Sequence, residues 1–585
     1  MTRLWNDPAS FADDMVDGFV RASGRWVRRV PGGVARSTRS ANPEVALVIG
    51  GGSGHYPAFG GLVGPGLAHG AAMGNLFASP SAHQVESVIR AAEQGRGVLL
   101  SFGNYAGDVL HFGAAQDAVR RDGIDCRTVR VTDDIFSAPA SEQERRRGIA
   151  GDLTVFKVAG AAAAAGYDLD GVERVALLAN ARTRSLGVAF TGCTLPGAEA
   201  PLFTVPEGKM AVGLGIHGEP GIEITDVPSA DGLAELFVRH LLDDAEVPNG
   251  ASLRGARVVP ILNGLGSVKN EELYVVFARV AALLEDAGAT IVDPQVGEFC
   301  TSFDMAGASL TLLWLDDELE RLWLAPADTP AFRTGSVDAG DLEAIAAEDS
   351  AEEAEDSLPP ATEESRRAAA RIARALAAAR DVIDAEAEEL GRIDAIAGDG
   401  DHGIGMQRGT LAAATTAADL ARRGAGAGTL LTRSGHAWSD RAGGTSGAIW
   451  GLILTTLGGH LADDAEPTAS SVAAGVSAAA RAVMDFGKAA LGDKTLVDAL
   501  VPFAATLQER VDDVVPLAEA WRAAAAAAES AAQATAHLMP GMGRARSHGT
   551  KALGVPDPGA VSLAHIAKRI EAVLAEELAP ETATA

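Results

Sequence analysis

The sequence predicts a two-domain protein, an α/β domain followed by an all-helical one, and three observations carry that expectation. The chain has 585 residues, well past the length at which single hydrophobic cores stop growing. Its first part alternates short β-branched runs with helix-like segments, as in "VALVIGGGSGH" from Val45, "GVLLSFGNYAGD" from Gly97, "CRTVRVTDD" from Cys126 and "ARVVPILNGLGS" from Ala256. Strand, glycine turn and amphipathic segment in repetition is the α/β pattern, with functional loops at the strand ends. Alanine-rich text with apolar residues three and four apart then takes over, in "RRAAARIARALAAARDVIDAEAEEL", "TLVDALVPFAATLQERV" and "PLAEAWRAAAAAAESAAQATAHL".

Between the two lies the acidic stretch 333–365, which holds Pro359 and Pro360 and no aromatic residue. Such a segment buries too little to order itself and reads as a linker. No internal repeat of 20 to 50 residues is evident.

Apolar residues make up 47% of the chain and charged residues 22%, which is ordinary globular usage. No run of about 18 uncharged apolar residues predicts a membrane span. The N-terminal text "MTRLWNDPASFADDMVDG" lacks a signal-peptide h-region, and three cysteines offer no disulfide framework, so the cytoplasm is the expected compartment. A formal charge of −29 argues against nucleic acid or an anionic membrane as a partner. Phosphate substrates would need local cations or metal to override that field.

Two familiar nucleotide motifs fail on context. "GLGIHG" at Gly213 matches the dinucleotide expression, but "EPGIE" follows where a helix should begin. "GKAALGDKT" at Gly487 nearly spells a P-loop, yet Asp493 separates Gly492 from Lys494, no strand precedes it, and an acid there would point at the phosphates. The informative loop is "IDAIAGDGDHGIGMQRG" from Ile393, where Asp394, Asp399 and Asp401 sit among glycines. Carboxylates repel a phosphate, but they hold magnesium, which in turn holds a triphosphate. "RAGGTSGAIWG" at Arg441 offers backbone donors and the hydroxyls of Thr445 and Ser446 at a helix start, an anion seat. "DPGAVS" at Asp557 is a further turn into a helix.

Taken in order, "GGGSGHYP", "GNYAGD", "GLGIHGEPGIE" and "TSFDMAGASLTLLWLDDEL", then "GDGDHG", "GGTSGA" and "DPGA", resemble the single-chain dihydroxyacetone kinase family. The resemblance runs from about Asn6 to Leu578 and implies an α/β ketose-binding domain over 6–332, the linker over 333–365 and an eight-helix barrel over 366–578. It implies ATP with two magnesium ions on the barrel, and homodimers. His217 matches the histidine whose imidazole adds to the substrate ketone as a hemiaminal, which selects carbonyl compounds over glycerol. His55 matches a hydrogen-bond partner or proton acceptor, with Gly52, Ser53, Gly54 and Gly103 lining the pocket. Asp108 matches the residue that takes the proton from the attacking hydroxyl. Metal binding carries to Asp394, Asp399 and Asp401. Nucleotide contacts carry to Asp401, His402, Gly403, Ile404, Thr445, Ser446, Gly487, Lys494, Asp557, Pro558 and Gly559. Arg544 and Arg546 are further candidates to neutralise phosphate.

The family commonly reads "GSGHEP" and "KNYTGD", whereas this chain has Tyr56, Gly103 and Ala106 in place of glutamate, lysine and threonine. A changed pocket favours a four-carbon ketose, erythrulose, over dihydroxyacetone. The competing readings are a phosphoenolpyruvate-linked phosphotransferase subunit, an FAD-splitting lyase and a non-catalytic sugar sensor. Fusion of both domains in one chain favours direct use of ATP.

Overall fold

The computed structural model describes residues 4–219, 221–245, 252–338, 342–345, 357–397, 400, 402–542 and 552–576. Contacts divide the chain into two compact units, 1–346 and 347–585.

In the first unit, strands β1 (Val27–Val30), β2 (Gly33–Arg36), β3 (Thr38–Ser40), β4 (Ala46–Ser53), β5 (Gly70–Leu76), β6 (Val98–Gly103) and β7 (Cys126–Val131) come first. Six of them form a sheet in the order β1-β2-β5-β4-β6-β7. Its centre is parallel, with β4 between β5 and β6 and β7 beyond β6. Strands β8 (Thr183–Ala189), β9 (Lys209–Val212), β10 (Glu223–Asp226), β11 (Arg257–Gly264), β12 (Thr290–Ile291), β13 (Gln295–Gly297) and β14 (Gly307–Leu315) form the second sheet. Its order is β10-β9-β8-β14-β11-β12, and β13 also pairs with β11.

The helices of this unit are α1 (Phe11–Ser23), α2 (Ala82–Ala92), α3 (Ala106–Arg121), α4 (Asp152–Ala164), α5 (Leu169–Arg182), α6 (Ala230–Asp243), α7 (Asn270–Asp286) and α8 (Asp317–Trp323). The two-residue side-chain period of a strand sorts the core. On β4, Leu47 and Ile49 join one apolar cluster with α4 and α5, while Ala46 and Val48 join another with Val85, Val88 and Ile89 of α2 and Phe112 of α3. On β14, Leu313 and Leu315 face the α4 and α5 side, while Leu310, Leu312 and Trp314 pack with Phe237 of α6 and Val280 of α7. The layers therefore run α2/α3, first sheet, α4/α5, second sheet, α6/α7. Both sheets are covered on both faces, so every residue of β4 and of β14 is buried.

Part of the stretch read as linker pairs with this unit. β15 (Ala327–Asp328) meets β16 (Arg333–Thr334), and β17 (Leu342–Ala344) pairs with β3, where Arg39 and Glu343 form an ion pair. Short backbone pairing needs no apolar run, so acidic composition did not reveal it.

The second unit holds α9 (Glu363–Ala397), α10 (His402–Arg422), α11 (Ala427–Ala442), α12 (Gly444–Gly458), α13 (Ala469–Gly487), α14 (Val497–Asp512), α15 (Leu517–Ala534) and α16 (Pro558–Glu576), eight α-helices among the described residues. Each packs against its neighbour in sequence, and α16 packs back on α9, which closes a barrel. Buried alanines such as Ala369, Ala413, Ala473 and Ala524 let the helix axes approach, and Trp438 and Trp450 stack inside with centroids 4.8 Å apart.

One buried ion cluster ties the loop after β7 to β8. Asp244 accepts from both terminal nitrogens of Arg146 (3.0 and 2.6 Å) and from Nε of Arg184 (2.7 Å), and the two arginines are 1% and 2% exposed. Replacing Asp244 with alanine would leave two buried cations unbalanced. The expected cost is about 3–5 kcal/mol, read as a fall in the melting temperature of the purified protein.

Candidate functional site

The parallel strands β4, β6 and β7 deliver their carboxyl ends to one edge, where open α/β sheets bind ligands. His55 follows β4 by two residues, Asp108 lies in the first turn of α3 after β6, and Asp133 and Asp134 follow β7. His55 and Asp108 are buried, at 2% and 7% exposure. His217 arrives from the second sheet, on the loop that links β9 to β10.

The two imidazoles meet, Nε2 to Nε2, at 3.0 Å. His55 donates from Nδ1 to the Thr301 carbonyl at 2.7 Å, and its ring stacks on Phe77 with centroids 5.0 Å apart. His217 points Nδ1 at Glu219 Oε1, 3.0 Å away, and its backbone N–H donates to Glu219 Oε2, also at 3.0 Å. Both Nδ1 atoms thus face groups that can only accept, so each carries a hydrogen there. A hydrogen bond between the two Nε2 atoms would require one further proton between them. Burial first, and the neighbouring His217 second, lower the His55 imidazole to about 3. The Glu219 carboxylate stands against His217 Nδ1, where it can balance a positive charge on that ring.

Glu219 is itself braced. Arg147 lies 3.8 Å from Glu219 Oε2 and donates to Asp134 Oδ2 from Nε (3.0 Å) and Nη2 (2.8 Å). Burial pushes Asp134 up to about 6, against the pull of Arg147. Tyr105 stands edge-on to His217 at 4.7 Å, and burial, reinforced by Glu219, pushes its hydroxyl well above the usual range.

The glycines that precede His55 make room. A Cβ on Gly52 would lie 2.8 Å from the Ala78 nitrogen, and one on Gly54, whose φ is +104°, 2.8 Å from the Phe77 ring. Ser53 donates to the Gly74 carbonyl at 2.6 Å. Of the three departures noted in the sequence, Gly103 is buried, and a side chain there would start 3.2 Å from both the Tyr105 ring and the Gly148 carbonyl. Tyr56 and Ala106 are exposed, and the Tyr56 ring lies against Phe19 of α1.

In the second unit, the N-termini of α10, α12 and α16 converge on His402. Its Nδ1 is 3.3 Å from Ser446 Oγ on α12, its Nε2 is 3.1 Å from Ser562 Oγ on α16, and its backbone N–H donates to Asp394 Oδ2 at 3.2 Å. Burial lowers this imidazole too. Helix N-termini present unpaired N–H groups and the positive end of the helix dipole, so this is a ready seat for phosphates. Gly443 and Gly444, with φ of +61° and +58°, turn the chain into α12, a conformation that side chains resist. Thr445 beside them is exposed, as is Ile404. Gly403 packs so closely that a Cβ would lie 2.0 Å from the Ala387 carbonyl.

Asp557 caps α16 by accepting from the Ala560 N–H at 2.7 Å, and Pro558 and Gly559 follow it. Burial pushes Asp557 up to about 7, with Asp394 and Asp498 adding to the rise and Lys494 opposing it. Lys494 donates to the carbonyls of Thr535 (2.7 Å) and Val555 (2.6 Å), so two of its three hydrogens hold the loop together. Asp493 turns inward, accepting from the Ala490 N–H at 2.7 Å rather than pointing at a ligand. Gly487 ends α13 with open space around its Cα. Asp399, Asp401, Arg544 and Arg546 lie outside the described residues.

Residues 17–331 match the Dak1 domain model and residues 396–572 the DAK2 domain model. The chain belongs to the dihydroxyacetone kinase family. This member is 60% identical to an L-erythrulose kinase of Pectobacterium atrosepticum, over 98% of its own length and 97% of the relative's. It is 52% identical to a D-erythrulose kinase of Mycolicibacterium smegmatis, over 97% and 98% of the two chains. Among solved structures it is similar to the dihydroxyacetone kinase from C. freundii in complex with AMP-PNP and Mg2+, at 29% identity, with a TM-score of 0.51 and coverage of 98% and 99%.

In this family member Glu219, Thr301, Phe77 and Arg147 were not singled out from sequence. Glu219 was within reach, two residues after His217 in "HGE", whereas Thr301 is separated from His55 by 246 residues and carries no local signal.

The depressed imidazole sets an acid limit. Below about pH 6.5 the unfolded His55 takes up a proton that the folded one refuses until about pH 3, so stability falls as pH falls through that window. His69, lowered by burial to about 4, acts in the same direction. His55→Asn should therefore flatten, without abolishing, the decline of the denaturation midpoint between about pH 6.5 and 3.

Proposed function

We propose that the protein is an ATP-dependent kinase that phosphorylates a primary hydroxyl of a short-chain ketose, erythrulose in preference to dihydroxyacetone. The observation that carries this reading is the His55–His217 pair, oriented by Thr301 and Glu219 at the strand edge from which Asp108 emerges. Likeness over nearly the whole chain to an L- and a D-erythrulose kinase supports the four-carbon substrate.

The proposed chemistry follows from the protons. With its Nδ1 hydrogen on Glu219, His217 offers the Nε2 lone pair to the ketone carbon once a substrate separates the pair. As the C–N bond forms, the C=O π electrons move to oxygen, which takes the proton formerly shared between the imidazoles. The result is a hemiaminal on an imidazolium whose charge Glu219 balances, with His55 left neutral. Only a carbonyl compound is captured this way, so glycerol is refused. Asp108 then accepts the proton of the attacking primary hydroxyl as its oxygen bonds to the γ-phosphorus and the bond to ADP breaks. In phosphoryl transfer, positioning and charge stabilisation outweigh the base.

On the helical unit, the seat formed by His402, Gly403, Ile404, Thr445, Ser446, Asp557, Pro558 and Gly559 receives ATP, with Gly487, Lys494 and Asp401 completing it. We assign two magnesium ions to Asp394, Asp399 and Asp401. The charge of Asp394 raises the Asp557 carboxyl, and this local excess of negative charge fits that assignment. Bound magnesium neutralises triphosphate charge and polarises the phosphorus. Homodimeric assembly and a cytoplasmic location belong to the same proposal; among the described residues no helix is long and apolar enough to cross a membrane.

The test is ADP release from protein, Mg-ATP and a panel of dihydroxyacetone, both erythrulose enantiomers and glycerol. Turnover that depends on ketose, with the highest kcat/KM on one erythrulose enantiomer, is expected; a clear preference for the triose would overturn the substrate assignment. His217→Ala should lose ketone capture while the nucleotide still binds. Asp394→Ala should lose turnover with ketone capture intact. Glu219→Gln should lower kcat/KM by about 10- to 100-fold, in line with an oriented hydrogen bond to a charged group, and shift its pH profile.

A further inference from the structure

Asp152 opens α4 and is 3% exposed, yet its Oδ1 has no hydrogen-bond partner among the described residues. A buried polar atom left unpaired is costly, so an acid kept in that state calls for a partner from outside the chain. Its neighbour Asp133 is the contrast, accepting from the N–H groups of Ile149 (2.9 Å) and Gly151 (2.8 Å). The turn that leads into α4 is therefore already held, and Asp152 is not what holds it.

Its location ties it to the ketose pocket. Gly148 and Gly103 meet so closely that a Cβ on Gly148 would lie 2.4 Å from the Gly103 Cα, 2.8 Å from the Val131 carbonyl oxygen and 3.0 Å from Asp152 Oδ1. Gly103 and Val131 are the last residues of β6 and β7. The free oxygen of Asp152 thus lies at the carboxyl ends of those strands, on the edge that carries Asp108 and against the glycine where the family commonly has lysine. Burial drives the Asp152 carboxyl well above its ordinary range, and the charges of Asp133 and Asp108 push it the same way. In the neutral form that burial favours, the group has one hydrogen to donate and one oxygen to accept, a match for a sugar hydroxyl.

We propose that Asp152 is a specificity-determining residue whose unpartnered carboxyl binds the hydroxyl that a four-carbon ketose carries beyond dihydroxyacetone. The inference rests on the ketose kinase reading above. A site built to hydrogen-bond a substrate hydroxyl penalises the analogue that lacks it, because its own buried polar group then stays unpaired. The triose would leave Asp152 in that state.

The test compares kcat/KM on dihydroxyacetone and on the preferred erythrulose enantiomer for the wild type, Asp152→Asn and Asp152→Ala, with melting temperatures recorded alongside. Asparagine keeps a donor and an acceptor in nearly the same shape, so Asp152→Asn should hold the erythrulose preference to within about threefold. Asp152→Ala should lose about 10- to 100-fold on erythrulose and at least tenfold less on dihydroxyacetone, the size expected for one buried hydrogen-bond partner. An equal loss on both ketoses, or an Asp152→Asn variant as impaired as alanine, would overturn the inference while the kinase reading stood. A wild-type enzyme that leaves erythrulose untouched would overturn both, and the ketose panel alone would show it.

Discussion

A nucleophilic imidazole has to be buried enough to exclude water and still keep one nitrogen free, and the first unit is arranged around that constraint. Glu219 fixes the proton on Nδ1 of His217, Arg147 braces Glu219, and Asp134 anchors Arg147. The chain of contacts runs from the end of β7 to the β9–β10 loop, so it couples the two sheets. Were Glu219 absent, either nitrogen of His217 could carry the hydrogen, and the lone pair would face the wrong way about as readily as the right one. The sheets supply the frame, but the carboxylate decides which atom reacts.

The helical unit meets a different demand with a similar device. ATP brings concentrated negative charge to a chain with 78 acidic and 49 basic side chains. Three helix N-termini converge where His402 bridges Ser446 and Ser562, and their dipoles oppose the overall field over a few ångströms. Long-range potential is screened within about 8–10 Å at physiological salt, so a short-range arrangement of this kind prevails at the site although the whole chain is strongly anionic.

The architecture was legible in the sequence because periodicity reports which faces are covered. The β-branched runs near Val45, Gly97, Cys126 and Ala256 and the three-and-four spacing of the alanine-rich segments specified an α/β domain followed by an all-helical one. His55, Asp108 and His217 were legible as motif positions. Thr301, Phe77 and Arg147 were not, because they reach the site through tertiary packing and have no local pattern. The loop from Gly487 shows the same limit in reverse. An acid at position 493 read as an obstacle to phosphate, yet it turns into its own loop to accept from Ala490, while the Lys494 ammonium binds backbone carbonyls. Side-chain direction within a loop is set by which backbone groups need partners, and sequence spacing alone does not encode that.

Substrate choice is the finest property and depends on the smallest features. Gly103 and Gly148 matter for what they lack, since any side chain at 148 would collide with the end of β6 and with the Val131 carbonyl. At their contact, the Asp152 carboxyl at the start of α4 lies near Gly103, the position where the family commonly has a lysine. A lysine would present only donors, on a long and mobile stem, whereas a buried carboxyl that keeps its proton presents both a donor and an acceptor on a short one. A hydroxyl-bearing carbon is recognised better by the second arrangement, and a charged one by the first. The change from lysine to glycine at position 103 leaves His217, His55 and Asp108 in place. On the proposed roles, capture of the ketone and choice of its chain length are separable in this site, the first resting on the imidazole pair and the second on what borders β6.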